Sequence, residues 1–253
     1  MSMNLVLDLG NSRCKWALAN TGLQPSGALV YGDDFARTLD QAFESLARPT
    51  QVAAVSVAGA ARTDTLTQWV KRHWSLDLRQ FHARATQCGV TNTYDVPAQL
   101  GADRWAGLIA AWKFFGNTGR ACVVVNAGTT MTVDALSADG VFLGGVIVPG
   151  VDLMRASLDA GTAQLRLAQG AFYYFPDNTA DAIMSGAINA LTGAIERIRG
   201  YMEETGQGSP LVVLSGGAAA LIQPRLNTSV EWVDNLVLEG LLEIANQQQS
   251  QQE

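Results

Sequence analysis

One short pattern occurs twice in this chain and constrains its fold more than any other feature. Residues 5–18 read as an apolar strand that carries Asp8, then a tight turn at residues 10–12, then a second strand. Residues 122–136 repeat this order. A strand that feeds a glycine turn presents backbone N–H groups that can bind a phosphate. Two such hairpins, about half a chain apart, predict two similar domains that face one nucleotide.

The two hairpins also agree position by position. Asp8 aligns with Asn126, Gly10 with Gly128, Asn11 with Thr129 and Ser12 with Thr130, and both second strands leave through turn-like segments, Asn20–Gly22 and Ser137–Gly140. Because a domain usually spans about 100–200 residues, a chain of 253 residues can form two modest domains. We predict an N-terminal domain over residues 1–118, a C-terminal domain over 119–246 and a disordered polar tail over 247–253.

Composition narrows the function classes. A net charge of −6 argues against general nucleic-acid binding, which needs a basic surface. No apolar run approaches the length of a membrane span, and no basic-then-apolar leader opens the chain. Three cysteines form no CxxC pair and suit buried thiols in a reducing compartment. We therefore expect a soluble cytoplasmic protein that binds no nucleic acid and no membrane.

Hydrophobic periodicity predicts the remaining elements. The first half reads β-β-β-α-β-α, and the second half repeats the plan. Helices are predicted near 33–47, 63–74, 103–115, 152–158, 179–204 and 236–245, and further strands near 52–57, 76–81, 211–214 and 231–233. The glycine-rich segment Ser215–Gly217 is either a third approach to a nucleotide or a plain strand-to-helix turn.

Charged residues beside these elements suggest chemistry. Asp8 next to a phosphate turn would repel phosphate unless a divalent cation such as Mg²⁺ bridges the two; alternatively, Asp8 hydrogen-bonds its own turn. Lys15 either reaches the phosphates or points to solvent. Asp103, at a predicted helix start, can accept a proton from a hydroxyl during phosphoryl transfer, or simply favours the helix dipole. The guanidinium of Arg104 can bind a carboxylate in bidentate fashion.

Seven short segments carry a resemblance to a known family. They are Asp8–Ser12, Asn92–Tyr94, Gly101–Trp105, Gly128–Asp134, Gly144–Gly150, Asn178–Ala180 and Ser215–Gly217. In this order, and spread over nearly the whole chain, they resemble the type III pantothenate kinases, the family that also contains the Bvg accessory factor proteins. Each segment is modest by itself, and together they make a specific match.

The resemblance implies an α/β fold of two duplicated ribonuclease-H-like domains, as in acetate kinase, sugar kinases and actin, with ATP in the interdomain cleft. It also implies ATP-dependent phosphorylation of pantothenate to 4′-phosphopantothenate, the first step of coenzyme A biosynthesis. ATP would contact Asp8, Leu9, Gly10, Asn11, Ser12, Arg13, Cys14, Lys15 and Thr129. Pantothenate would contact Tyr94, Gly101, Ala102, Asp103, Arg104 and Thr179, with Asp103 as the proton acceptor. Thr179 would complete the site of the partner subunit in a homodimer.

One residue departs from the pattern of the family. Family members commonly carry an aspartate where this chain has Asn126, and that aspartate binds an activating K⁺ or NH₄⁺ ion. Asn126 keeps a carbonyl oxygen but loses the charge. We therefore expect a weakened monovalent-cation site and a weaker dependence on K⁺.

Three other functions stay open from the sequence. The same fold could phosphorylate another small hydroxylated acceptor, or it could serve as a non-catalytic regulatory or accessory protein. A ribonuclease-H-like nuclease would need a cluster of carboxylates around two metal ions. Only Asp8 and Asp134 are placed for such a cluster, so this alternative is the weakest.

Overall fold

The structure is a computed structural model that describes residues 3–19, 22–161 and 169–250. Most of the predicted turn at Asn20–Gly22, and part of the connection that follows Gly161, lie outside these ranges. The chain divides into two compact units. The first consists of Met1–Phe114 together with Asn235–Glu253, and the second of Phe115–Asp234.

The described residues form strands and helices in an order close to the predicted one. The strands are β1 (Asn4–Leu9), β2 (Arg13–Ala19), β3 (Leu23–Val30), β4 (Gln51–Ser56), β5 (Leu78–Gln80), β6 (Thr86–Gln87), β7 (Val90–Asn92), β8 (Cys122–Ala127), β9 (Thr130–Leu136), β10 (Val141–Pro149), β11 (Leu211–Ser215) and β12 (Val230–Trp232). The helices are α1 (Phe35–Phe43), α2 (Ala60–Trp74), α3 (Ala102–Phe115), α4 (Val151–Gly161), α5 (Thr179–Glu204), α6 (Ala219–Ile222) and α7 (Leu236–Ser250). The predicted order β-β-β-α-β-α of the first half is confirmed.

The first unit is built on a five-stranded sheet in the order β3-β2-β1-β4-β5. β1 pairs antiparallel with β2 and parallel with β4. Because side chains alternate along a strand, Leu5, Leu7 and Leu9 share one face of β1, where they join the aromatic core formed with α1 and α2. Asp8 consequently lies on the opposite face of the sheet.

The second unit repeats this plan strand for strand. Within it, the strands follow the order β10-β9-β8-β11-β12, and β8 pairs antiparallel with β9 and parallel with β11. Each unit thus has a central strand with an antiparallel hairpin on one side and parallel strands on the other. A second apolar core packs α5 against β8, β9 and β11. The duplication that the two sequence hairpins predicted is confirmed.

The last helix, α7, departs from the predicted division of the chain. It packs on β1, β2 and β4 and therefore belongs to the first unit, not to a C-terminal domain that extends to residue 246. A Cβ atom at Gly240 would overlap the backbone of Ala106, so α7 and α3 approach each other closely. α7 also continues to Ser250, whereas the sequence predicted a disordered tail from Gln247; residues 251–253 lie outside the described part. Within the described ranges, no helix has an apolar stretch long enough to cross a bilayer.

Candidate active site

The first hairpin turn joins β1 to β2 and exposes the residues that the sequence assigns to ATP phosphates. Gly10 N–H donates to Arg13 O at 3.1 Å, and the side chains of Asn11, Ser12 and Arg13 are exposed. Leu9 and Cys14 were also predicted to contact ATP, but both side chains are fully buried in the core. These two residues can therefore offer only backbone groups to a ligand.

Asp8 and Lys15 form a cross-strand pair beside this turn. They are register partners on β1 and β2, so their side chains lie on the same face of the sheet. Asp8 is 8% exposed, and the pKa of its carboxyl group is raised from 3.8 to about 7. Burial is the main cause, repulsion from the Asp103 carboxylate adds to the rise, and the positive charge of Lys15 partly opposes it. The structure thus brings Asp8, Lys15 and Asp103 into one electrostatic environment, as a shared site requires.

Two residues near this turn were missed by the sequence analysis. Arg62 Nη1 donates to Asn11 O at 2.8 Å, and the Arg62 guanidinium lies 3.9 Å from the centre of the Tyr31 ring. Burial also raises the pKa of the Tyr31 hydroxyl above its usual range, and the nearby groups that contribute include Cys14 and Asp8. No motif marks Arg62 in the sequence, because the contact joins residues 51 positions apart.

The start of α3 positions Asp103. Trp105 N–H donates to Gly101 O at 3.0 Å, which closes the first turn of the helix, and Arg104 N–H donates to Asp103 Oδ1 at 2.8 Å. A Cβ atom at Gly101 would lie only 2.7 Å from Asp103 Oδ1. Gly101 therefore leaves room for the Asp103 carboxylate in its observed position, and the buried Ala102 anchors the turn.

Arg104 links Asp103 to Tyr94. Its side chain is 8% exposed, and Nη1 donates to the Tyr94 hydroxyl at 3.3 Å. Tyr94 is fixed in turn by Asn92, because Tyr94 N–H donates to Asn92 Oδ1 at 3.1 Å while Asn92 Nδ2 donates to Pro97 O at 3.1 Å. The three residues predicted to bind pantothenate through side chains in the first unit, Tyr94, Asp103 and Arg104, thus lie together.

The second hairpin turn, in the second unit, is held by two glycines. Gly128 N–H donates to Thr130 O at 3.0 Å, and Gly150 N–H donates to Thr129 O at 2.9 Å. A Cβ atom at Gly150 would overlap Gly128 O and lie 2.6 Å from Thr129 O, and one at Gly216 would overlap the backbone of Ala127. The exposed turn that carries Thr129 therefore depends on close backbone packing.

The two hairpins differ by one residue, which the aligned sequences did not reveal. In the first, the Leu9–Cys14 pair is followed by the hydrogen bond from Gly10 N–H to Arg13 O, which leaves Asn11 and Ser12 at the tip. In the second, the Ala127–Met131 pair is followed by the hydrogen bond from Gly128 N–H to Thr130 O, which leaves Thr129 alone at the tip. The sequence alignment of the two hairpins therefore does not hold after the glycines, and its equivalence of Ser12 with Thr130 is wrong.

Asn126 and Thr179 lie at separate places in the second unit. Asn126 is half-buried on β8 and pairs with Ser215 on β11 and Thr132 on β9. Thr179 is exposed at the first position of α5, where Asn178 Oδ1 caps the helix by accepting from Asp181 N–H at 3.0 Å. Thr179 also lines a cavity of about 750 Å³ between α4 and α5.

The donor set of the first unit fits a divalent cation that also contacts phosphate. Mg²⁺ takes oxygen ligands and often only one or two carboxylates, with water and phosphate completing its coordination. The pKa of the Asp8 carboxyl group is raised by burial and, to a smaller extent, by the Asp103 charge, so a nearby cation would stabilise its ionised form. Among the described residues, no group of three or more His, Cys, Asp and Glu side chains could hold a metal ion. A cation at Asp8 would therefore need oxygen atoms of phosphate or water to complete its coordination.

The sequence of the chain also matches a family of known proteins. The model of the family described as type III pantothenate kinase matches residues 4–200. The chain belongs to the type III pantothenate kinase family. A type III pantothenate kinase from Nitrosospira multiformis is 43% identical over 244 residues, which cover 96% of this chain and 91% of the relative. One from Nitrosomonas eutropha is 43% identical over 251 residues, covering 96% and 95%.

Solved structures confirm the fold of this type III pantothenate kinase family member. A Campylobacter jejuni protein described as a conserved Baf family transcriptional activator superposes with a TM-score of 0.62 at 18% identity, covering 97% of this chain and 99% of that one. A Listeria monocytogenes protein described as an N-acetylmannosamine kinase superposes with a TM-score of 0.53 at 11% identity, covering 97% and 99%. At such identities the likeness supports the fold alone, and it agrees with the duplicated ribonuclease-H-like plan.

Proposed function

We propose that this chain uses ATP to phosphorylate pantothenate to 4′-phosphopantothenate, the first step of coenzyme A biosynthesis. Family membership supports this reaction, and relatives 37–43% identical carry the kinase name. The structural observation that supports this reaction is that Tyr94, Arg104 and Asp103 are linked by hydrogen bonds. The Asp103 carboxylate is also close enough to Asp8 to contribute to its raised pKa. A base, a carboxylate-binding cation and a phosphate turn are the parts that this phosphoryl transfer needs.

Asp103 is the proposed proton acceptor for the pantothenate hydroxyl. Its carboxylate lies in the first turn of α3. The contact with Arg104 N–H and the open space at Gly101 fix its direction. A positioned carboxylate can then remove the hydroxyl proton as the oxygen attacks the γ-phosphate.

Arg104 is the proposed partner of the pantothenate carboxylate. Its guanidinium is buried and lies within hydrogen-bonding distance of the Tyr94 hydroxyl. A buried guanidinium binds a carboxylate strongly because little water competes with the charge-assisted bonds. Gly101, Ala102 and Tyr94 complete the proposed site in the first unit. Acetate lacks the extended chain, and sugars lack the carboxylate, so both are poorer candidates for these groups.

ATP is proposed to bind through both hairpin turns. Residues 8–15 of the first unit and Thr129 of the second would contact its phosphates. Asp8 would hold Mg²⁺, which when bound supplies positive charge that neutralises the phosphate oxygens. Lys15, on the same face as Asp8, adds a second positive charge on the protein side. Backbone N–H groups of the turn residues complete the phosphate contacts.

A monovalent cation, K⁺ or NH₄⁺, is a weaker part of the proposal. Asn126 can offer one neutral carbonyl oxygen from β8, together with any backbone carbonyls beside it. A neutral ligand attracts a cation less strongly than a carboxylate does. We therefore expect K⁺ to raise activity only modestly.

The active form is proposed to be a homodimer in which Thr179 completes the substrate site of the partner subunit. Tyr173, Tyr174 and Phe175 are 54%, 85% and 95% exposed, although aromatic side chains are usually well buried. Such exposed apolar residues often mark an interface, and they precede Thr179 by only a few positions. The proposed location is the cytoplasm, in keeping with three free cysteines.

The first test is ADP release from purified protein with ATP and Mg²⁺, with and without pantothenate, and with and without K⁺. Pantothenate-dependent ADP release, confirmed by detection of 4′-phosphopantothenate, is the expected result. A K⁺ response that is steep and saturable would contradict the expected weakness of the site at Asn126. No pantothenate-dependent turnover under either condition would overturn the proposed reaction, and other hydroxylated acceptors would then be screened.

A further inference from the structure

The turn between β1 and β2 is held from outside by helix α2. Arg62 Nη1 donates to Asn11 O, and the Arg62 guanidinium stacks on the Tyr31 ring. Tyr31 is itself packed edge-on against Phe35, with ring centroids 5.0 Å apart. Arg62 therefore has two attachments, one to the turn and one to an aromatic pair that belongs to the same unit.

The conformation of the turn explains why such support matters. Neither Asn11 nor Ser12 has a positive φ angle. Turns of types II, I′ and II′ all need positive φ at a central residue, so none of them fits here. Two-residue hairpins prefer types I′ and II′ because their twist matches that of the strands. The turn thus adopts a geometry that its two strands do not favour by themselves.

The hydrogen bond from Arg62 acts on the one peptide group that decides this geometry. Type I and type II turns differ mainly by a rotation of about 180° of their central peptide plane. Here the central peptide joins Asn11 to Ser12. Because a trans peptide is planar with C=O and N–H on opposite sides, fixing Asn11 O toward Arg62 also fixes the direction of Ser12 N–H.

The position of Arg62 in its helix also indicates that this residue is placed to support the turn. α2 begins at Ala60, not at Thr63 as the sequence suggested, so Arg62 lies in the first turn, which contains no acidic residue. Positive charge is unfavourable at a helix N-terminus. Residues that break a local preference are expected where function requires them, and the contacts with Asn11 and Tyr31 supply the compensation.

We propose that Arg62 is a positioning residue that orients the Asn11–Ser12 peptide for the phosphates of ATP. This inference rests on the proposed function, because it takes residues 10–12 as a phosphate turn. Arg62 acts through the turn rather than on the reacting atoms. Its loss should therefore weaken binding of the polyphosphate part of the nucleotide and leave binding of the nucleoside part unchanged.

The test compares Arg62→Gln with Arg72→Gln, which removes the same charge from the exposed far end of the same helix. Binding of ATP and of adenosine is measured by calorimetry for each protein, together with the KM values for ATP and pantothenate. A charge-assisted hydrogen bond lost from a preorganised turn should lower the ATP affinity of Arg62→Gln by about tenfold or more. Adenosine affinity and the pantothenate KM should stay within about twofold. Arg72→Gln should match the wild type.

Two further variants keep the test decisive if Arg62→Gln folds poorly. Arg62→Lys retains a donor and should recover part of the ATP affinity. Tyr31→Leu retains the Arg62 charge but removes the ring beneath it, and should lose part of the ATP affinity. Unchanged ATP affinity in Arg62→Gln, or an equal loss for ATP and adenosine, would overturn the inference.

The failure of this inference differs from that of the proposed function. If the wild type binds ATP but releases no ADP with pantothenate, the proposed reaction fails, and the ATP affinities still decide the role of Arg62. If the wild type binds no ATP, both proposals are overturned. If the wild type is an active kinase and Arg62→Gln binds ATP normally, only the inference fails.

Discussion

At the scale of single residues, Asp103 is the group whose chemistry is most sharply testable. Asp103→Asn keeps the size and the hydrogen-bond acceptor of the side chain but cannot accept a proton from the substrate. Loss of a general base typically lowers turnover about 10²–10⁴-fold. We expect kcat to fall in that range while pantothenate and ATP still bind, as measured by calorimetry. A variant with nearly full turnover would remove Asp103 from the proposed mechanism.

The raised pKa of Asp8 predicts that the stability of the fold depends on pH. Its pKa is 3.8 for the ordinary side chain and about 7 in the fold. Between these values the folded chain retains a proton that the unfolded chain has lost, so the unfolding free energy falls as pH rises. The contribution of Asp8 is fully present below pH 3.8 and decreases by up to about 4 kcal/mol by the time the pH passes 7.

The measurement is the unfolding free energy of wild type and Asp8→Asn from pH 4 to 8, with divalent cations removed. Subtracting the two curves cancels the other titrating groups. The wild type should lose stability relative to the variant as pH rises through this range. A difference that grows in favour of the wild type with rising pH would show that Asp8 is stabilised as a carboxylate.

The residues also show what the sequence could and could not predict. Asp8, Gly10, Asp103 and Arg104 each belong to a short local pattern, and the structure brings three of them into contact or electrostatic reach. Arg62 belongs to no pattern, because its contact with Asn11 exists only after α2 has packed beside the sheet. Long-range contacts of this kind are outside what periodicity and turn chemistry can predict.

At the scale of elements, the close packing around the hairpin turn of the second unit predicts that a larger residue at Gly150 destabilises the fold. In Gly150→Ala the new methyl group would overlap Gly128 O, so the turn that carries Thr129 must move. Overpacking of this kind typically costs about 1–3 kcal/mol. We expect a lower unfolding free energy in chemical denaturation and a higher KM for ATP.

Gly193→Ala is the matched control for this substitution. Gly193 lies within α5, and a Cβ atom there would meet nothing within 4 Å. Because alanine favours a helix over glycine by up to about 1 kcal/mol, this variant should be slightly more stable than the wild type. Equal stability of the two variants would contradict the close packing of the turn.

Element order was predictable, and element placement was less so. Both hairpins, the later buried strands and the main helices follow from apolar periodicity and glycine turns. The same periodicity also predicted α7, but it does not tell which sheet a helix covers. The placement of α7 on β1 and β4 follows from tertiary packing alone.

At the scale of the whole molecule, the proposed dimer can be tested by complementation. Asp103→Asn and Thr179→Ala should each be nearly inactive. If Thr179 serves the partner's site, a mixed dimer of the two variants contains one site with both defects and one with none. After subunits are exchanged at random, activity should recover to about a quarter of the wild-type value.

Two controls give this experiment a clear reading. Tyr174→Ser with Phe175→Ser should shift the protein toward the monomer in analytical ultracentrifugation, because both exposed rings are then lost. The same double change should abolish the recovery. No recovery from mixed single variants that form stable dimers would mean that Thr179 does not act across an interface.

The return of α7 to the first unit has a consequence for how the chain is made. Asp8 and Asp103 lie in a unit whose core is covered by α7, a helix that is synthesised after the whole second unit. Lys113 of the first unit forms ion pairs with Glu239 and Glu243 on this helix. A growing chain generally folds domain by domain as it leaves the ribosome. Here the second unit can complete its fold first, so the unit that carries the proposed base cannot complete its core until α7 has also been translated.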